Sequence, residues 1–141
     1  MGYALIDMYS KCGSVFEARA VFKRMTDINI VLWNSLITCY EQNGPAGETL
    51  GLFMRMMDLG VMPDEITLAS VVSACTTLSA IKEGLQIQSR MIKFDKFRDD
   101  LVLSNALVDM YAKCGRTKEA RFYAFFGCSF EHQFATAISL L

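Results

Sequence analysis

The sequence is poor in the groups that punctuate, charge or cross-link a chain. Its 141 residues hold 2 prolines, 9 glycines, 1 tryptophan and a single histidine, His132. So few prolines and glycines exclude a linker or a collagen-like segment. Every run of the ~18 residues that a membrane-spanning helix requires is broken by charge or strong polarity, so no such helix is expected. Residues 1–9 contain Asp7 and lack a basic flank followed by an apolar run, so they do not read as a signal or transit peptide. Neither sign of charge dominates: 14 Lys and Arg face 15 Asp and Glu, for a net charge of −1. There is therefore no overall field to attract nucleic acid or an anionic membrane, and any such binding must rest on local groups.

Catalytic signatures are equally scarce. The five cysteines, Cys12, Cys39, Cys75, Cys114 and Cys128, include no C-x-x-C pair and have only His132 for company. Zinc needs four nearby nitrogen or sulfur ligands, and a thiol nucleophile needs a base. Neither arrangement is visible. Reduced thiols packed as small apolar groups are the expected state. No glycine-rich phosphate loop or paired-carboxylate signature occurs.

What the sequence does have is 52% hydrophobic residues and a strong internal repeat. Residues 4–13 read ALIDMYSKCG and residues 106–115 read ALVDMYAKCG, eight of ten letters identical at a separation of 102 residues. Glu17-Ala18-Arg19 falls over Glu119-Ala120-Arg121 at the same separation. Weaker copies lie between, opening at WNSLITCYEQNG and at LASVVSAC, and they divide the separation into units of 31, 35 and 36 residues. A period in the thirties with two amphipathic segments per unit predicts a helical solenoid.

Each unit reads as helix, turn, helix. Trp33, Leu36, Ile37 and Tyr40 recur at i, i+3, i+4 and i+7 and make one apolar stripe, which Leu52, Phe53 and Met56 should face. Gly13, Gly44 and Gly115 follow first helices, where a left-handed residue is expected, and Gly60 with Pro63 closes a second helix. Ser14 and Glu17 fit a capping box opening a second helix, and Asp64 and Asp100 fit N-caps of first helices. Trp33, Tyr9, Tyr40 and Tyr111 sit on apolar stripes and are expected to pack rather than form a platform for bases. Val31, Ile66 and Val102 could, on pattern alone, be core residues.

The phrases ALIDMYSKCGS, VLWNSLITCYEQNG, GVMPDEITLASVVSACT and NALVDMYAKCGR strongly resemble the pentatricopeptide repeat family, and specifically its plant subgroup that alternates motifs of about 35, 36 and 31 residues. On that resemblance the units are 1–29 (a partial short motif), 30–64 (standard), 65–100 (long) and 101–131 (a degenerate short motif), with 132–141 the divergent start of another. The resemblance implies an all-α, tetratricopeptide-like solenoid of helical hairpins wound as a right-handed superhelix. It also implies binding of single-stranded RNA, one base per repeat, with DNA and membranes excluded as partners and no cofactor.

The residues that the resemblance singles out are the fifth and last of each motif, which read the base, and the second, which clamps it. Asn34 with Asp64 is the pair that matches the family pattern, between clamps Val31 and Ile66, and the family associates it with uracil. The chemistry is sensible: an amide both donates and accepts, whereas a carboxylate only accepts and so favours the ring N–H that neutral cytosine lacks. Ala69 with Asp100 follows, between Ile66 and Val102; Ala69 cannot hydrogen-bond a base, so this site should select weakly. Asn105 pairs with Glu131, a departure from the usual Asp or Asn. Tyr3 pairs with Asn29, and Tyr3 is not a usual reading residue. Lys11 and Lys113, at matching places near the ends of first helices, are implied phosphate contacts, or else complements to the negative helix ends.

The resemblance further implies a role in plant organelles, mitochondrion or chloroplast, guiding transcript maturation and most often C-to-U editing together with editing-complex proteins. The deaminase chemistry of editing needs an H-x-E and a P-C-x-x-C pattern. Neither occurs here, so the chain is not expected to be an enzyme. The stripe Val21, Phe22, Met25 is replaced in the last unit by Tyr123, Ala124, Gly127, and no polar cap is evident at either end. The expectation is a piece of a longer array, with apolar ends prone to associate. A tetratricopeptide-like protein-interaction scaffold is the alternative use of the same fold.

Overall fold

A computed structural model describes residues 2–92, 97 and 100–126, with helices and no strand among them. The helices are α1 (Gly2–Lys11), α2 (Val15–Arg24), α3 (Ile30–Asn43), α4 (Ala46–Asp58), α5 (Glu65–Leu78), α6 (Ile81–Ile92), α7 (Leu101–Lys113) and α8 (Thr117–Phe126). They form four hairpins. The odd-numbered helices pack side by side as a continuous row; each packs against the second helix of its own hairpin, and α3, α5 and α7 also pack against that of the hairpin before. The result is a helical-hairpin repeat solenoid, as the repeat pattern predicts.

The expected stripe of α3 is buried at all four places, Trp33, Leu36, Ile37 and Tyr40. Phe22 of α2 meets Trp33 edge to face, ring centroids 4.8 Å apart, which joins the first hairpin to the second through an aromatic pair. Phe53 and Met56 of α4 are buried and Leu52 is half-buried. One core cluster runs from Ile6 to Ala120 through all four hairpins, so burial belongs to the stacked array rather than to any single hairpin. Tyr111 is also buried and Tyr9 half-buried, consistent with packing.

Three of the four glycine turns are as expected, and the fourth is a correction. Gly13, Gly60 and Gly115 have φ of 74°, 77° and 79°. In each turn the next N–H reaches back five residues: Ser14 to the Tyr9 carbonyl (2.8 Å), Val61 to Met56 (3.1 Å), Arg116 to Tyr111 (2.7 Å). Gly44 instead has φ −108° and ψ 179°. The cause is Pro45, whose ring pushes the preceding residue into extended backbone. At the matching turn after α5 the left-handed residue is Ser79, φ 53°.

The capping box at Ser14 is also corrected, since its side chain makes no cap hydrogen bond. The turn is closed there by backbone bonds, and the second copy manages with Arg116 at the same place. The box lies at α5 instead, where the Asp64 side chain accepts from the Thr67 N–H and the Thr67 hydroxyl accepts from the Asp64 N–H. No helix among the described residues is long and apolar enough to cross a membrane.

Candidate nucleic-acid interface

The row of first helices sets the second, fifth, ninth and thirteenth motif residues on one side of the row, because steps of three, seven and eleven residues return to nearly the same side of a helix. On α7 this face carries Val102, Asn105, Asp109 and Lys113, all exposed. Val31, Ile66 and Val102, at the second place of α3, α5 and α7, are 52%, 56% and 63% exposed. They are therefore not core residues. Three aligned apolar side chains stand open along the row.

Between Val31 and Ile66 lies the best-formed polar cluster. The Asn34 side-chain amide donates to both Asp64 carboxylate oxygens, at 2.9 and 3.0 Å. The Thr67 hydroxyl donates to Asn34 Oδ1 and lies 3.0 Å from Asp64 Oδ1. A carboxylate can only accept, so it must take the amide NH2, which leaves the amide oxygen for the hydroxyl. The orientation of Asn34, only 7% exposed, is thereby fixed.

Asp64 divides its two oxygens. Oδ1 caps α5, accepting from the Ile66 and Thr67 N–H groups at 3.1 and 3.0 Å, while Oδ2 accepts from Asn34 and retains lone-pair capacity. Partial burial acts to raise the Asp64 pKa. The Thr67 N–H, the Asn34 amide, the Thr67 hydroxyl and the Ile66 N–H outweigh it and hold the carboxyl below its ordinary 3.8. A depressed folded pKa contributes stability above the ordinary carboxylate value, and that contribution is lost as pH falls through the lowered one. At neutral pH Asp64 is an anion.

The other last-position residues cap helices as well. Asn29 accepts from the Leu32 N–H at 3.1 Å, a cap that the sequence reading did not assign, and Asp100 accepts from the Leu103 N–H at 2.9 Å. Ala69 is half-buried and Asn105 exposed, and among the described residues the Asn105 side chain has no hydrogen-bond partner. Tyr3 is exposed on α1. Glu131, the intended partner of Asn105, and His132 and Cys128 lie outside the described residues.

Lys11 and Lys113 are exposed, and each pairs with the carboxylate one turn earlier, Asp7 at 3.0 Å and Asp109 at 3.1 Å. Exposed pairs of this kind bind weakly, so either ammonium can be drawn to another anion at little cost. Sequence reasoning missed Thr67, although the spacing of Asp64 and Thr67 is that of a capping pair. It also missed two bonds that tie α3 to α5 along the same face, Thr38 to Ser70 (3.4 Å) and Ser73 to Glu41 (2.8 Å).

The comparisons with known proteins agree with this architecture. A family model described as PPR repeat matches residues 4–30, 31–61 and 102–123, more than half of the chain. A pentatricopeptide repeat-containing protein of Arabidopsis thaliana is 62% identical over 122 residues, which is 86% of this chain and 18% of the relative. Two others from the same plant, named as mitochondrial and chloroplastic, are 41% and 38% identical over 86% and 84% of this chain, and over 12% and 15% of their own lengths. Among solved structures, the pentatricopeptide repeat protein PPR10 from maize matches with TM-score 0.68 at 21% identity, over 87% of this chain and 18% of that one. Its complex with an 18-nt psaJ RNA element matches with TM-score 0.69 at 21% identity, over 86% of this chain and 18% of that one.

Four stacked hairpins presenting one face of first helices define an all-α repeat solenoid. This chain belongs to the pentatricopeptide repeat family. It spans about a fifth or less of the length of the curated relatives it matches.

Proposed function

We propose that the chain binds single-stranded RNA along the exposed face of α1, α3, α5 and α7, one base per repeat. The observation that carries this reading is the Asn34–Asp64 pair: a fixed amide and an anionic carboxylate, flanked by the open apolar side chains of Val31 and Ile66. A base held between two such side chains presents its edge to Asp64 Oδ2, which favours the ring N–H of uracil. Ala69 with Asp100, between Ile66 and Val102, takes a base with little selectivity; Asn105 with Glu131 and Tyr3 with Asn29 complete the series. Lys11 and Lys113 exchange their carboxylate partners for phosphates. The maize relative's RNA complex supports the choice of ligand.

The unequal units, 1–29, 30–64, 65–100 and 101–131, support placement in the plant subgroup of alternating motif lengths. The mitochondrial and chloroplastic names among the relatives support an organelle as the setting. On this reading the chain contributes base recognition to transcript maturation, C-to-U editing foremost, and another domain contributes the chemistry.

Titration of the chain with oligouridine and oligocytidine at low salt tests the pair. Asp64→Asn preserves a good helix cap while turning the base-facing acceptor into a group that can donate. It should erase a preference for uracil of about fivefold, the size of a modest hydrogen-bond difference. Unchanged discrimination would remove Asp64 from base reading. Peptide binding on this face without RNA binding would establish the scaffold reading instead.

A further inference from the structure

Neighbouring second helices leave two clefts between them, and the two differ in chemistry. The first, about 260 Å³, is walled by Arg19 of α2, Tyr40 of α3 and Glu48, Gly51, Leu52 and Arg55 of α4. Tyr40 lies nine residues beyond Val31, half a turn round α3 from it, so the cleft does not share the face that carries Val31. The second, about 120 Å³, lies between α4 and α6, with Leu50, Phe53 and Met54 on one wall. Its other wall matches the first cleft residue for residue: Glu83, Gln86, Ile87 and Arg90 stand for Glu48, Gly51, Leu52 and Arg55. Two exchanges set the first cleft apart. It has Arg19 where the second has Leu50, and Gly51 where the second has Gln86.

The polar groups of the first cleft are unengaged. Arg19, Glu48 and Arg55 are exposed and make no ion pair among the described residues. Tyr40 is only 3% exposed, yet its hydroxyl has no hydrogen-bond partner among them. Tyr111, at the same motif place in α7, shows why. Its hydroxyl donates to Gln88 of the preceding second helix, whereas the residue that matches Gln88 ahead of Tyr40 is Phe22, which offers no acceptor. A largely buried hydroxyl without a partner is costly, and this one belongs to the wall of a cleft that two guanidinium groups also line. Gly51 keeps the cleft open. A Cβ added there meets nothing within 4 Å, so packing does not demand glycine, and glycine weakens a helix interior.

We infer that the cleft between α2 and α4 binds an acidic side chain of a polypeptide partner, one with an apolar residue beside it. Two guanidinium groups and a phenolic hydroxyl supply donors for both carboxylate oxygens. The half-buried Leu52 and the open space over Gly51 take the neighbouring apolar side chain. A nucleic-acid backbone fits worse, because it needs a run of cations to meet successive phosphates. Here Glu48 stands in the same cleft, and the next cleft along offers Glu83 and the apolar wall of Leu50 and Met54. The site is independent of the RNA reading of the first helices, so both ligands can be held at once.

The test titrates the full, isotope-labelled chain with a terminally blocked peptide, Ala-Leu-Glu-Leu-Ala, and with its counterpart carrying Gln for Glu. The Gly51 amide and the Arg19 and Arg55 Nε–H signals are followed by NMR. The Glu peptide should bind about fivefold more tightly than the Gln peptide, the size of one modest hydrogen-bond difference, and Arg19→Gln or Arg55→Gln should erase that gap. Tyr40→Phe keeps the ring packed and should weaken the Glu peptide by about threefold. Gly51→Gln gives the first cleft the side chain of the second. It should abolish binding while raising thermal stability, because glutamine is the better helix former, so the loss cannot be laid to misfolding. No shift of these signals at millimolar Glu peptide, equal affinity for the two peptides, or Arg19 and Arg55 variants that bind like the parent would overturn the proposal. So would displacement of the peptide by oligouridine, which would give the cleft to RNA.

Discussion

Between α1 and α7 the exposures change in both directions. Ile6 and Ser10 of α1 are buried against α3, where Asn43 donates to the Ser10 carbonyl at 2.9 Å, while their counterparts Val108 and Ala112 are half-buried and exposed. The trend is opposite at Leu5 and Met8, 43% and 45% exposed, whose counterparts Leu107 and Met110 are fully buried. One amphipathic phrase thus has two apolar flanks, one turned toward the preceding hairpin and one toward the following hairpin. The hairpin that covers a flank decides its burial, and the two letters that differ between the copies, Ile6 for Val108 and Ser10 for Ala112, lie on the flank that α3 covers. In a solenoid the energy of a residue is set by its neighbours, so identical sequence does not mean identical stability.

The largest expected effect follows from this difference. Leu107→Ala should destabilise by about 2–5 kcal/mol, the range for deleting a fully buried leucine side chain. Leu5→Ala should cost well under half as much, because the side chain already meets solvent. Denaturant titration of both variants measures the gap, and equal losses would break the comparison. A smaller effect concerns one hydroxyl. Tyr111→Phe removes the hydroxyl that donates to the buried Gln88 side-chain oxygen and should cost about 1–3 kcal/mol. Tyr9→Phe, whose hydroxyl has no partner among the described residues, should be close to silent in the same assay.

Much of this architecture is legible in the sequence, and the residues show why the rest is not. The hairpins follow from apolar spacing and from the repeat itself. The left-handed turns at Gly13, Gly60 and Gly115 follow from glycine at helix ends. Gly44 departs from that rule because its conformation is set by its neighbour Pro45. Asn34 and Asp64 stand out through the family resemblance, and their direct bond joins residues thirty apart. Thr67 could have been read from its spacing to Asp64. Met110 of α7 packs where Gly84 of α6 has no side chain, and Tyr111 donates to Gln88; both are pairings across helices, which local periodicity does not encode. Nor does local sequence tell α1 from α7.

The smallest expected difference lies at the end of the shared phrase, where Cys12 is exposed and Cys114 half-buried. Thiol labelling depends on access and on the thiolate fraction. Cys39 and Cys75 are buried, and burial, with lesser contributions from Glu83 and Cys114, pushes the Cys75 thiol up to about 11. Among the four described cysteines, labelling by a maleimide near neutral pH should therefore proceed first at Cys12, then a few-fold more slowly at Cys114, with Cys39 and Cys75 reacting only as the array opens. If folded access is the cause, the gap between Cys12 and Cys114 should close once denaturant unfolds the array. A gap that persists in the unfolded chain would mean that the residues beside each thiol, Ser14 after Gly13 and Arg116 after Gly115, set the rates rather than folded exposure.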